Sequence, residues 1–435
     1  MKKFLALMLA LVMVLGLVAC GEKAPAADEG TEAAGRVYWL NFKPESDEAL
    51  QKIAGLYTEK TGVPVKVVTA ASGTYNDTLT SEMDKDEAPT MFVVGNTAAV
   101  NTWGEFCYDL AGTDVFNELN TDAYILKDAE GKVCSIGYCY ECYGIMVNKA
   151  LLAEAGYAVE DITNFETLKA IVEDITARKD ELGFAAFTSA GMDPSSSWRF
   201  TGHVANLEYY WESVDAPEAW VAPGPAELTG AYMDNYRNLM DLIFANGITD
   251  RAALATAGID ATGEFKEGKA VFHPQGNWEW GSLSEVFTAE DLAMIPYYSG
   301  VEGEENVGLN CGTENYWAVN AMASEDDIKA TLDFMYWLVT DAEASALAVD
   351  TFGVMPYTNA VASSNPFLAM ANELAGAGKA NMWWATNYQP DVDNYRAALV
   401  SALNDYNADP TDAKWEAVET AFVAGWATCY ANVNG

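Results

Sequence analysis

Histidine is nearly absent. The 435 residues contain only His203 and His273, on unrelated segments, and no Ser-His-Asp order and no metal-ligand cluster is present. Basic residues are scarce as well, 24 against 64 acidic ones, for a formal net charge of −40. Such a charge argues against nucleic acid and anionic membrane surfaces as partners. It disfavours a carboxylate or phosphorylated small ligand only weakly, because a local basic pocket overrides the average. No P-loop and no G-x-G-x-x-G following a strand is present. Long apolar runs are missing beyond the first twenty residues, which excludes a further membrane-spanning helix.

Cysteine is sparse, with seven residues. Cys134-x4-Cys139-x2-Cys142 has the spacing of a plant-type iron–sulfur loop, but the interleaved Tyr138 and Tyr140 suit a strand better than a loop wrapped on a cluster. Cys134–Cys139 or Cys134–Cys142 disulfides are compatible with an extracellular location. Scattered buried thiols are the equal alternative.

The N-terminus pairs Lys2-Lys3 with an apolar run from Phe4 to Val18, short for a span and suited to a secretory leader over residues 1–19. The run ends Leu17-Val18-Ala19-Cys20-Gly21, which resembles a bacterial lipoprotein processing site and implies lipid on the Cys20 sulfur. Residues 20–35 then form the lipidated cysteine and an aperiodic tether, reaching roughly 20 Å as a flexible coil. The remaining length is enough for two lobes with a substantial core, since half of all residues are hydrophobic.

The body opens β-α-β, an α/β signal. Residues 36–40 read as a buried strand, Ser46 starts a helix carrying Leu50, Ile53, Leu56 and Tyr57 on one face, Gly62 stops it, and residues 63–68 read as the next strand. Met91-Phe92-Val93-Val94 is a further short strand, ended by Gly95-Asn96-Thr97. Asn164 caps a helix with Phe165, Leu168, Ile171, Val172 and Ile175 on one face. Tyr232, Tyr236, Leu239, Met240 and Ile243 form the core face of another. The last third is helical, with Met382-Trp383-Trp384 in an intervening loop.

The most informative stretch is residues 265–280. Ala270-Val271-Phe272 reads as a buried strand bounded by Gly268 and by a turn at Pro274-Gln275-Gly276-Asn277, which presents Trp278 and Trp280. Phe265-x-x-Gly268-Lys269-Ala270-x5-Gly276-x-Trp278 resembles the central signature of bacterial extracellular solute-binding proteins of the maltose-binding type, which serve sugar ABC importers. Tyr143 to Leu152 resembles that family's crossover strand, with Val147 in place of its usual tyrosine.

The resemblance spans residues 36–430. It implies an α/β, two-lobed periplasmic-binding-protein-like fold with three interlobe crossings and a central cleft. Lobe one would comprise residues 36–141 and 313–342, and lobe two residues 142–312 and 343–435, with crossings near Glu141, Asn315 and Asp341. Trp278 would stack on a sugar ring. Asn41, Lys43, Asn96, Glu141, Trp198, Asn277, Asn315 and Trp384 would line the cleft, although either Trp383 or Trp384 fits the last place. The implied partners are a carbohydrate, an oligosaccharide given the aromatics, and the transmembrane subunits of an ABC permease. The membrane would be reached through the lipid anchor on the outer face of the cell membrane. The protein would be a monomer without cofactor, metal, nucleic acid or catalytic role. Two alternatives stay open: the same architecture with a polyamine or peptide ligand, and a secreted glycoside hydrolase, which needs only two carboxylates across a cleft.

Overall fold

The structure, a computed structural model, describes residues 35–71 and 73–434. The leader, Cys20 and nearly all of the tether lie outside the described residues. The first strands follow the apolar runs: β1 (Val37–Asn41), β2 (Val65–Thr69) and β3 (Met91–Val93). All five residues of β1 are buried, as a strand covered on both faces requires. The helix Asp47–Thr61 links β1 to β2. It buries Leu50, Ile53, Ala54 and Tyr57, and ends at Gly62, whose φ of 77° suits glycine. Burying side chains of the size of Leu50 and Ile53 stabilises by about 1.5–3 kcal/mol each.

Nine more strands complete two sheets: β4 (Ile125–Lys127), β5 (Val133–Gly137), β6 (Glu141–Asn148), β7 (Ala185–Phe187), β8 (Ala270–Gly276), β9 (Leu292–Ile295), β10 (Val307–Gly312), β11 (Tyr316–Val319) and β12 (Ala380–Trp383). One sheet runs β2-β1-β3-β11-β5-β4. The other runs β12-β10-β6-β8-β7, with β9 also paired to β6. Each sheet has its own core. Trp39, Trp317 and Phe334 centre the first; Phe187, Tyr236, Phe272 and Trp426 belong to the second, and a smaller cluster surrounds Phe265 and Phe367. These are the two lobes.

The chain passes between lobes from β5 to β6 through residues 138–140, and from β10 to β11 through 313–315. The third passage is later than the sequence suggests. Asp341 is only an N-cap, accepting from the Glu343 and Ala344 amides. The helix it starts, Ala342–Phe352, remains in lobe one, with Phe352 5.0 Å from Tyr138. Tyr357 is still in that core, whereas Phe367 packs in the smaller cluster beside β6, β9 and β10. The chain therefore leaves lobe one between these two residues. An apolar helix face, Ala344-Ala348-Val349-Phe352, decides the lobe, and the capping acid does not.

One further expectation is corrected, and one open pair of alternatives is decided. β8 runs through Pro274, Gln275 and Gly276 instead of turning there. Pro274 pairs with Ile145 of β6, while β7 pairs only with Ala270 and Phe272. A residue without an N–H is tolerated where the neighbouring ladder has ended. No disulfide joins Cys134 to Cys139 or Cys142; all six described cysteines are buried free thiols. No group of three or more metal-ligating residues occurs among the described residues.

Candidate functional site

A cleft of about 920 Å³ lies between the lobes. Lobe one contributes the loop after β1, the end of β3 and the helix Thr97–Trp103. Lobe two contributes a π-helical turn at Arg199–Val204, the 3-10 turn after β8, the segment after β12 and the helix Val392–Ala408.

A buried polar network holds the centre. Lys43 Nζ donates to Glu141 Oε1 at 2.7 Å and lies 2.9 Å from Glu45 Oε1. Asn315 Nδ2 donates to Glu141 Oε2 at 2.9 Å. Burial opposes the Lys43 charge, but the carboxylates of Glu141 and Glu45 outweigh it and hold the ammonium well above its usual range. The network ties the β1 loop to the first two crossings.

Aromatic rings form the lobe-two wall. Trp278 is half-buried, 5.3 Å from His203 and 6.0 Å from Trp198, with Lys43 Nζ 5.8 Å from its centroid. His203 stacks on Tyr143 at 4.1 Å and 11°. Trp384 sits 5.1 Å from Tyr143 and lines the cleft, while Trp383 is 37% exposed and packs on Trp220 and Tyr388 instead. Adjacent residues of a strand end point oppositely, which separates the two tryptophans. Trp280 turns away and packs on Phe367.

Of the residues expected to line the cleft, Lys43, Asn96, Glu141, Trp198, Trp278, Asn315 and Trp384 do so. Asn96 Oδ1 caps the helix Thr97–Trp103 by accepting from Ala99 N at 2.7 Å. Its amide NH₂ has no partner among the described residues. Asn41 and Asn277 are not in the lining. Asn41 is buried and closes the β1 loop, accepting from Lys43 N at 3.0 Å and donating to Lys43 O. Asn277 is buried against the first crossing, its Oδ1 accepting from Cys142 N at 2.7 Å. Both amides serve backbone groups that would otherwise be buried unpaired.

His203, Arg396, Glu45, Glu279 and Glu314 also line the cleft and were not singled out in the sequence. The wider wrap of the π-helical turn brings Trp198, Thr201 and His203 to one side, which no 3.6-residue period signals. Burial, then Arg396, Arg199 and Lys43, push the His203 imidazole well below its usual range, so it is neutral. Burial raises the Glu279 carboxyl.

The lobes touch across the mouth. Asn76 Nδ2 donates to Asp393 Oδ2 at 2.7 Å, and Asn101 Nδ2 to Asn434 Oδ1 at 3.3 Å. Gly73 has a φ of 75°, and a Cβ there would lie 2.9 Å from Pro194 O. Only glycine allows that approach of the two rims. The arrangement is a closed one.

Two α/β lobes, strand crossings and a closed polar-aromatic cleft define a two-lobed solute-binding protein. The chain belongs to the bacterial extracellular solute-binding protein family, whose model matches residues 52–376. This is a family of binding proteins acting outside the cytoplasm. The fold is similar to that of RafE in complex with raffinose, at 18% identity and a TM-score of 0.70, covering 89% of this chain and 98% of that one. It is similar to the apo form of RafE from Streptococcus pneumoniae at 17% identity and 0.64, covering 91% and 98%. A chitin oligosaccharide binding protein aligns at 16% identity and 0.69, covering 92% and 100%. No curated protein sequence matches the chain.

Proposed function

We propose that this protein captures a carbohydrate in the interlobe cleft and delivers it to the transmembrane subunits of an ABC permease, without catalysis. The observation that carries the reading is the juxtaposition of Trp278, Trp198, Trp384 and His203 with the Lys43–Glu141–Asn315 network. A pyranose has an apolar C–H face and a rim of hydroxyls. Indoles cover the first, and Asn96, Asn315 and Lys43 face the second. The cleft is larger than one hexose needs, which favours an oligosaccharide. Raffinose and chitin oligosaccharides are what two of the structural neighbours are named for. No carboxylate pair stands apart as acid and nucleophile: Glu141 is occupied by Lys43 and Asn315, and Glu279 by Gln275 at 3.0 Å. That weighs against the hydrolase alternative.

Thermal shift against neutral and acidic oligosaccharides, polyamines and peptides tests the reading, because a ligand bound only by the native state raises its melting temperature. A sugar is expected to score. Calorimetry on Trp278→Ala should then show roughly a thirtyfold loss of affinity. Because the ring is half-buried on the cleft wall, the unliganded melting temperature should fall by no more than about 4 °C. Stabilisation by polyamines alone, or turnover of the sugar to reducing ends, would discard the proposal.

A further inference from the structure

We propose that the sugar taken by this cleft carries a carboxylate, as a hexuronate does, and that Arg396 receives it beside His203. The inference rests on the carbohydrate reading and narrows it. Its starting point is the arginines. The chain has six: Arg36, Arg178, Arg199, Arg237, Arg251 and Arg396. With 64 acidic residues available, a guanidinium seldom stays alone. Arg36 lies 3.8 Å from Asp327, Arg237 2.9 Å from Asp412 and Arg251 2.6 Å from Asp241, and Arg178 pairs with Asp174. Arg199 and Arg396 have no carboxylate within 4 Å among the described residues, and of the two only Arg396 lines the cleft.

Arg396 lines the cleft from the helix Val392–Ala408. Its Nε donates to Gln389 Oε1 at 2.7 Å, and Gln389 Nε2 donates to Thr201 O at 2.8 Å in the π-helical turn. A Cβ on Gly202 would lie 2.8 Å from Arg396 Nη2, so the guanidinium rests directly on the residue before His203. Arg199, in the same turn, is 7% exposed, lies 5.9 Å from the centroid of Trp198, and has an Nε without a partner. Glu279, Asp193 and Glu264 balance the buried Arg199 charge from beyond 4 Å, which leaves Arg396 as the guanidinium available to a ligand. His203 adds two ring nitrogens with no hydrogen-bond partner among the described residues.

The acids of the lining do not cancel this end. Lys43 occupies Glu141 and Glu45, Asn76 donates to Asp393, Asn394 to Asp391, and Gln275 to Glu279. Glu314, on the second crossing, is the one lining carboxylate without a partner among the described residues. Arg396 is therefore the one guanidinium in the lining without a carboxylate partner among the described residues, inside a molecule of net charge −40. A planar carboxylate matches the guanidinium fork, and a polyol without one leaves the fork unfilled.

The test uses the full mature chain and calorimetry with matched pairs: trigalacturonate, trimannuronate and glucuronic-acid-substituted xylotriose, each against its carboxyl-reduced neutral counterpart. At least one acidic member should bind tenfold or more tighter than its reduced form. That preference should shrink with added NaCl. It should vanish in Arg396→Gln and fall partly in Arg396→Lys, while binding of the reduced sugar and the unliganded melting temperature stay near wild type. The reduced-sugar comparison on unmodified protein decides even if a variant misfolds. Equal or tighter binding of every reduced form overturns the inference and leaves the carbohydrate reading standing. Binding of neither acidic nor neutral sugars, here or across the wider panel, overturns both.

Discussion

Glu208 shows what a single buried group does to the stability of lobe two. It lies on the helix Asn206–Asp215, fully buried, beside Glu212. Burial, and then the neighbouring Glu212, push its carboxyl up to about 9. Glu212 is held in place by the Thr229 and Gly230 amides, at 2.8 and 2.6 Å. The folded protein thus keeps a proton on Glu208 that the unfolded chain releases above its ordinary value. Stability from this group is complete below about pH 4.5 and is lost progressively as pH rises towards 9, on the order of 1 kcal/mol per pH unit. Glu208→Gln mimics the protonated acid. It should flatten the decline of melting temperature between pH 5 and 9, with little change at pH 4.5. An identical decline in the variant would remove Glu208 from the account.

At the scale of elements, the crossings decide whether the molecule opens. Residues 138–140 and 313–315 are joined by Tyr138 N donating to Asn315 O at 3.0 Å, and the segment after Phe352 adds Tyr140 N to Val354 O at 2.6 Å. Asn277 fixes the start of β6, and Asn365 Nδ2 holds Asn277 O at 2.8 Å. Three passages bundled this tightly restrict motion to a hinge about the bundle. The bonds across the mouth are few and exposed, worth about 1 kcal/mol each or less, too little to keep two lobes shut without a ligand. Small-angle scattering should therefore show a larger radius of gyration for the unliganded protein and compaction on saturation with the sugar. An unchanged radius at saturation would contradict a hinge.

For the whole molecule, a net charge of −40 maintains solubility by self-repulsion, so any attraction to an anionic surface has to come from elsewhere. We propose that it comes from lipid on Cys20, after which the tether holds the lobes just off the membrane. Intact-mass analysis of the membrane fraction should show the acylated chain beginning at Cys20. A mature form that starts elsewhere without lipid would rule this out. The same charge predicts that an anionic sugar is slowed on approach at low salt and held only by the local field at Arg396.

Local chemistry was sufficient for much of this molecule. Unbroken apolar runs gave β1 and β3, and helical periodicity gave the buried faces of Asp47–Thr61 and Phe165–Ala177; the place of Trp278 on the cleft wall was implied by the family resemblance of residues 265–278. These features are set by neighbours within a turn or two along the chain, so they can be read in order. Tertiary structure alone decided what depends on residues far apart. Asn41 and Asn277 have side chains suited to a sugar, but backbone amides in reach claimed them first. Trp383 and Trp384 were equivalent until the end of β12 turned one outward. The lobe of the helix Ala342–Phe352 depended on its packing against Tyr138, some two hundred residues earlier. His203 and Arg396 met only because a π-helical turn and a C-terminal helix converge at Gly202. Packing and charge pairing act through space, and sequence spacing carries no measure of that distance.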